Sequence, residues 1–306
     1  MPALPTLPPT RANWLAIISL GVIWGAAFMG MNLALRGFGP VTVAAGRLGV
    51  AALTLLLILW LRGGLGTALP RDGQRRLPYL VAIAILGAAL PFFLLSWGQQ
   101  YVTSGFAGIT MAAIALFVLP LAHVFIPGDR LNGRKLLGFA LGFAGVVVLI
   151  GPAALFAGGG MEKWGALACL GAAFCYASSS IVTRLCPPMD SLALATAQTV
   201  LAACLMGPLA WATEGAPATL ATPAGLALLL LGIGPTALAN LLRVSVVRSA
   251  GPSFLALTNY QVPIWSVIFS ALFLAEPLPL RLLGALALIL AGMAISQRLW
   301  RLWSPR

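Results

Sequence analysis

Hydrophobic positions fall into long runs almost free of charge, and the arginines collect in the short stretches between them. Ten runs stand out: 14–35, 41–61, 78–97, 104–126, 135–151, 164–183, 191–211, 224–242, 252–274 and 280–297. Each meets or approaches the roughly 20 apolar residues that carry a helix across a bilayer core. The pattern predicts an all-α integral membrane protein of ten transmembrane helices. Lys135 and Arg281 stand at run edges, which leaves Arg47 as the one charge inside the runs.

Composition narrows the class further. Hydrophobic residues make up 60% of the 306 positions and charged residues 8%, with a mean hydropathy of +1.00. A soluble domain carries roughly a quarter charged residues, so this chain has too few to cover a water-facing surface. The net charge of +12 would suggest nucleic acid in a soluble protein. Here the basic residues sit between the spans and follow a topological rule instead. Threading the runs alternately through a membrane puts Arg11, Arg62, Arg71, Arg75, Arg76, Arg130, Arg134, Lys135, Arg184, Arg243, Arg248, Arg298, Arg301 and Arg306 on one side. The other side holds Arg36, Lys163 and Arg281. Positive charge concentrates in the cytoplasm, so both termini are expected there. Trp14, Trp60, Trp97, Trp164, Trp211, Trp300 and Trp303 lie at or near run ends, the interfacial belt, whereas Trp24 and Trp265 lie inside their spans. No signal-peptide cleavage pattern precedes the first span, and Met1 to Thr10 reads as a Pro-rich tail. Cys169, Cys175, Cys186 and Cys204 form no CxxC pair and read as small packing residues.

The chain also repeats itself at an offset of about 145 residues. Gly25-Ala26-Ala27-Phe28 matches Gly171-Ala172-Ala173-Phe174, and Leu86-Gly87 with Pro91 matches Leu231-Gly232 with Pro235. Pro120 pairs with Pro263, and Lys135-Leu136-Leu137-Gly138 with Arg281-Leu282-Leu283-Gly284. A Gly-rich link, Gly151 to Gly160, joins the halves. Five spans per half is an odd number, so the second half is expected upside down relative to the first. Inverted repeats of this kind place substrate near the midplane, and interruptions at matching positions in both halves point to the site. Pro91, Pro120, Pro235 and Pro263 are therefore the expected kinks or gates, because each removes a backbone hydrogen bond. Gly21-x-x-x-Gly25 and Gly138-x-x-x-Gly142 read as close-packing seams.

Polar side chains inside lipid need a partner or a cavity. Asn259-Tyr260-Gln261 lies just before Pro263 and is the strongest candidate for binding substrate; Asn240 belongs to the same half. Interhelical hydrogen bonding, worth about 0.6–2 kcal/mol, accounts equally well for any single amide. Trp24, Tyr176, Tyr260 and Trp265 place aromatic surface at mid-membrane and suit a cavity for amino acids with apolar or aromatic side chains. Arg47, roughly 10 Å along its span, either holds a substrate carboxylate, snorkels to the interface or pairs with an acid such as Glu276. Snorkelling range favours the structural reading, and its counterpart in the repeat is the neutral Gln198. His123 is the one span residue poised to titrate near neutrality, and its place at a helix end favours a hydrogen-bonded structural role. No span holds a buried carboxylate, so downhill, facilitated movement is expected rather than a proton relay.

The order of these motifs resembles the drug/metabolite transporter superfamily, EamA-type branch. Trp24-Gly25-Ala26-Ala27-Phe28, Pro40 with Arg47-Leu48, and Pro120 followed by Asp129-Arg130-Leu131 and Leu137-Gly138 carry the likeness. The second half repeats it in Arg248-Ser249-Ala250-Gly251, Pro263, Glu276-Pro277-Leu278 and Gly284. Pro127-Gly128-Asp129 departs from the family, where a Glu after an apolar run is usual. The resemblance implies EamA-like repeats at 14–151 and 164–297, a linker at 152–163, and cytoplasmic tails at 1–13 and 298–306. It implies a bacterial inner-membrane exporter of metabolites, closest to aromatic-amino-acid exporters. Organic cations are the alternative cargo, and a non-transporting scaffold is the alternative of another class. An enzyme is disfavoured by the single histidine and the lack of a span acid or Cys/His group. An ATP-driven pump is disfavoured by the missing GxxxxGK[ST] loop. The expected partners are a small molecule and the bilayer, with no cofactor, metal or nucleic acid.

Overall fold

A computed structural model describes residues 10–63, 73–126, 132–151, 160–216, 219–250, 252–255 and 257–297. All secondary structure among them is helical. The helices are α1 (Arg11–Leu35), α2 (Pro40–Leu61), α3 (Gly73–Ala84, a π-helical turn Ile85–Ala89, Leu90–Gly98) and α4 (Ser104–Thr110, Ala113–Phe125). They continue as α5 (Gly133–Ile150), α6 (Gly160–Leu185), α7 (Ser191–Glu214) and α8 (Pro223–Leu231, a π-helical turn Gly232–Leu238, Ala239–Ala250). A short turn, Pro252–Leu255, leads into α9 (Thr258–Leu274), and α10 is Leu280–Gln297.

The first eight are long and apolar enough to cross a membrane; Leu280–Ser296 in α10 is apolar but shorter. The protein is a multi-pass membrane protein. Its outer surface agrees: Leu53 and Leu57 on α2, Leu230 on α8, and Leu272 and Phe273 on α9 are exposed, as lipid-facing residues are. Trp14, Trp60, Trp164 and Trp211 are exposed near helix ends. The terminal tails at 1–9 and 298–306, the linker at 152–159 and the Asp129-Arg130-Leu131 motif lie outside the described residues.

Helix starts follow from local chemistry. Thr10, Thr103, Asn132, Asp190 and Thr222 each accept a hydrogen bond from a backbone N–H in the first turn of α1, α4, α5, α7 and α8. Two starts are capped from a distance, that of α2 and, in addition to Thr103, that of α4. The Glu214 carboxylate accepts from Val41 N and Thr42 N at 2.9 Å each. Glu276 accepts from Ser104 N at 2.9 Å and Gly105 N at 3.1 Å. Ala275 adopts φ +53° and ends α9, with Glu276 N donating to Ser270 O.

Packing crosses between the chain's halves. α1 packs on α8 and α9, and α6 packs reciprocally on α3 and α4, while α2 pairs with α7, α4 with α9, and α5 with α10. The expected glycine seams are real contacts. Gly21 faces Gln261, Gly25 faces Trp265, and Gly138 approaches the carbonyl of Gly292, where a Cβ would come to 2.5 Å. Hydroxyls along these helices turn back on their own backbones: Ser266 donates to Pro263 O, Ser270 to Val267 O and Ser296 to Met293 O.

Four helices are interrupted, at matching places in the two halves. α3 and α8 carry the π-helical turns, each around the Leu-Gly…Pro motif. α4 tightens at Met111–Ala112, where N–H groups reach back three residues rather than four, and the chain does the same at Leu257 and Tyr260 before and within α9. Each of the runs 104–126 and 252–274 was expected as one span with its kink or gate at Pro120 or Pro263; the changes of register fall instead at Met111–Ala112 and at Leu257, and both prolines lie inside helix. A run of apolar residues reports burial in lipid but not hydrogen-bond register, and neither break has a Gly or Pro at its centre.

Candidate functional site

The site centres on the π-helical turn of α8. Pro235 has no N–H, so the carbonyl of Leu231 loses its helical donor. The Thr236 hydroxyl supplies one, donating to Leu231 O at 2.8 Å. The same hydroxyl oxygen accepts from Arg47 Nε at 2.7 Å. Pro235 O accepts from Trp24 Nε1 at 3.0 Å, and Thr236 O from Asn240 Nδ2 at 2.6 Å. Side chains thus occupy three carbonyls of an irregular segment, which is how such backbone is tolerated at membrane depth.

Arg47 is 5% exposed. Its guanidinium lies 4.0 Å from the Phe92 ring centroid, a cation–π arrangement. Phe92 in turn meets Tyr176 edge-on, with centroids 6.5 Å apart. Arg47 from α2 is therefore held between α8 and α3, beside α6. Of the readings open for Arg47, snorkelling does not fit this geometry, because Thr236 and Phe92 hold the side chain inside the protein. Glu276 is not its partner either, since that carboxylate is committed to the start of α4. The mirror arrangement is present at α3. A Cβ on Gly87 would sit 2.5 Å from Ser179 Oγ and 2.8 Å from Gln198 Nε2. Each half's π-helical turn thus meets the second helix of the other half, at Arg47 in one case and its counterpart Gln198 in the other.

The Asn259-Tyr260-Gln261 cluster separates. Consecutive helical residues point about 100° apart, and here Asn259 is exposed while Gln261 lies against Gly21 of α1. All three fall in the first turn of α9 rather than midway along a continuous span. Tyr260 packs against the same core as Trp24 and Tyr176, and its buried hydroxyl makes no hydrogen bond among the described residues. Trp265 stacks on Phe269, centroids 5.8 Å apart, one turn along its own helix. Pro91 opens the last piece of α3, Pro120 lies inside α4 and Pro263 is buried inside α9. His123 sits exposed in the last turn of α4, where a basic residue suits the helix dipole.

The structure therefore gathers Trp24, Arg47, Tyr176, Asn240 and Tyr260 around the core and the α8 turn, and leaves Asn259 and His123 outside that group. Thr236 and Phe92 were not legible as members. Their signals existed: Thr236 follows Pro235 directly, and Phe92 follows Pro91.

The family model for EamA-like transporters matches residues 12–151 and again 163–297. The chain belongs to the EamA-like transporter family. It is a membrane transporter and not an enzyme. Uncharacterized transporter YvbV of Bacillus subtilis is 29% identical to this EamA-like chain over 298 residues, covering 94% of it and 92% of the relative. A probable terminal-alkyne amino-acid exporter of Streptantibioticus cattleyicolor is 30% identical over 140 residues, 46% of this chain and 45% of that one. A probable amino-acid metabolite efflux pump of Escherichia coli is 26% identical over 176 residues, 57% of this chain and 54% of that one. The chain thus spans about half the length of these two exporters where they match. One crystal structure shares the EamA-like fold with a TM-score of 0.67 at 20% identity, covering 96% of this chain and 99% of that one.

In this EamA-like transporter the Trp24 indole bridges α1 to the α8 turn through one hydrogen bond. Trp24→Phe keeps the ring but removes the donor. It is expected to cost about 1 kcal/mol, read as a small fall in the midpoint of thermal unfolding in detergent.

Proposed function

We propose that the protein exports small metabolites, with amino acids including aromatic ones as cargo, by alternating access around a cavity between two inverted five-helix repeats. The repeats are 14–151 and 164–297, the spans number ten, and the membrane is a bacterial inner membrane with both termini cytoplasmic. The observation that carries this reading is the matched set of interruptions in α3 and α8 and around α4 and α9. Two sets of broken helices facing each other's halves give the free backbone and the mechanical breaks that an alternating site needs.

End-to-end contacts support the threading. Ser249 hydrogen-bonds Asn13 and Phe254 meets Trp14 at one end; Glu214 reaches α2 and Glu276 reaches α4 at the other. Each contact joins segments that the arginine distribution assigns to the same side. Trp24, Tyr176 and Tyr260 around one core support an aromatic or apolar side chain on the cargo. The names of the two exporter relatives point to amino acids as the cargo class.

Efflux from proteoliposomes loaded with a panel of amino acids and organic cations tests the function. Selective efflux of aromatic and apolar amino acids is the expected result. No flux for any member leaves the scaffold reading standing. Accumulation driven by a pH gradient alone would overturn downhill transport.

A further inference from the structure

We infer that Arg47 is the recognition element for a carboxylate on the cargo, so that the site is built for small carboxylates and against organic cations. The inference rests on the transport reading for its route of access, but on separate observations for its chemistry.

Arg47 is 5% exposed, two turns into α2. A guanidinium has five N–H donors in a planar fork. One face is covered by the Phe92 ring, and Nε is spent on Thr236. Nη1 and Nη2 make no hydrogen bond among the described residues, yet neither is a sealed orphan atom of the kind found at Ser96, Thr258 and Tyr260. The fork's outer edge is therefore not fully sealed by packed atoms.

The four described acids are all engaged or placed elsewhere. Glu214 and Glu276 cap α2 and α4, Asp190 caps α7, and Glu162 lies in the first turn of α6. A buried cation in lipid is costly without an anion, and Thr236 with Phe92 supplies dipole and quadrupole but no opposite charge. The outer edge of a guanidinium fits a carboxylate through two parallel N–H···O bonds. Tyr176 lies within electrostatic reach of the same guanidinium and its ring borders Phe92. Cargo held by Arg47 would thus lay its side chain along aromatic surface. The same positive charge repels a purely cationic molecule.

The test uses the full chain in nanodiscs and follows tryptophan fluorescence during titration with L-phenylalanine and with L-phenylalaninamide, which lacks the carboxylate. The acid is expected to bind at least about tenfold more tightly than the amide, the range of a charge-assisted hydrogen-bonded pair. Arg47→Gln should bring the acid down to the amide's affinity, and Arg47→Lys should keep a preference for the acid. Equal binding of acid and amide by the unaltered protein, binding of neither, or an undiminished preference in Arg47→Gln would overturn the assignment. Competition by inorganic phosphate as strong as by phenylalanine would overturn it as a carboxylate site. If Arg47→Gln does not fold, the acid–amide comparison in the unaltered protein and in Arg47→Lys decides. Counterflow in proteoliposomes separates the two readings. A preference without flux refutes transport and keeps the site; flux without a preference refutes the site alone.

Discussion

Gly25→Val is expected to remove most of the folded protein. A Cβ at Gly25 collides with the Cβ of Trp265 and lies 3.0 Å from the backbone nitrogen of Ser266. The obstacle is main chain and the root of a side chain, so relief requires α1 and α9 to part. Four residues earlier, Gly21 makes the same demand, with Gln261 Cβ at 2.7 Å. Overpacking of this kind costs about 3 kcal/mol, and separation of the two helices would also pull Trp24 from Pro235 O. Size-exclusion of detergent extracts after graded heating measures it. Gly49→Val is the control, because nothing lies within 4 Å of its added Cβ. A normal monomer peak for Gly25→Val would show that the α1–α9 contact yields more easily than its geometry implies.

Glu276→Ala is expected to cost about 2–3 kcal/mol, the range for hydrogen bonds to a charged group whose partners are left buried. Its carboxylate satisfies Ser104 N and Gly105 N, while Thr103 satisfies Phe106 N, so one distant residue supplies most of the cap of α4. The negative charge also faces the positive end of that helix. Glu276→Gln should recover part of the loss, since the amide oxygen still accepts. Glu214 plays the same part at α2, where Pro40 brings no N–H and Gly39 no side chain. Being exposed, Glu214 should matter less. A Cβ on Gly39 would occupy the position of the Glu214 carboxylate, so Gly39→Ala should mimic Glu214→Ala. The midpoints of thermal unfolding for the single and paired variants check both claims. The two sites share no partner and are expected to add.

Much of this architecture could be read from residue order because it depends on local pattern. Hydrophobic length located the helices, and the spacing of Gly21 with Gly25 and of Gly138 with Gly142 located two seams. The paired Leu-Gly…Pro motifs marked the places where α3 and α8 become π-helical, although a proline suggests a kink before it suggests a wider turn. What stayed hidden depends on contacts between residues far apart in the chain. Nothing near Arg47 in sequence announces Phe92 or Thr236, and nothing near Glu276 announces Ser104. Asn259, Tyr260 and Gln261 looked like a unit because they are adjacent, but helical rotation sends adjacent residues in different directions. The breaks at Met111 and Leu257 were hidden for a further reason. They are changes of hydrogen-bond register with no Gly or Pro at their centre to mark them.

The serine hydroxyls that bond to their own helices have a mechanical consequence. Ser266 faces Gly108 and Ser296 faces Gly138, and in both places the hydroxyl is already spent on a carbonyl three residues back. Nothing polar has to be exchanged when these surfaces shear past one another. Resistance comes from dispersion alone, about 0.1–0.2 kcal/mol per atom pair, and a shift of a fraction of an ångström trades one set of such contacts for another. At these serine–glycine contacts the α4–α9 and α5–α10 interfaces are therefore dry bearings, with friction set by surface smoothness, while Glu276 pins the end of α9 to the start of α4.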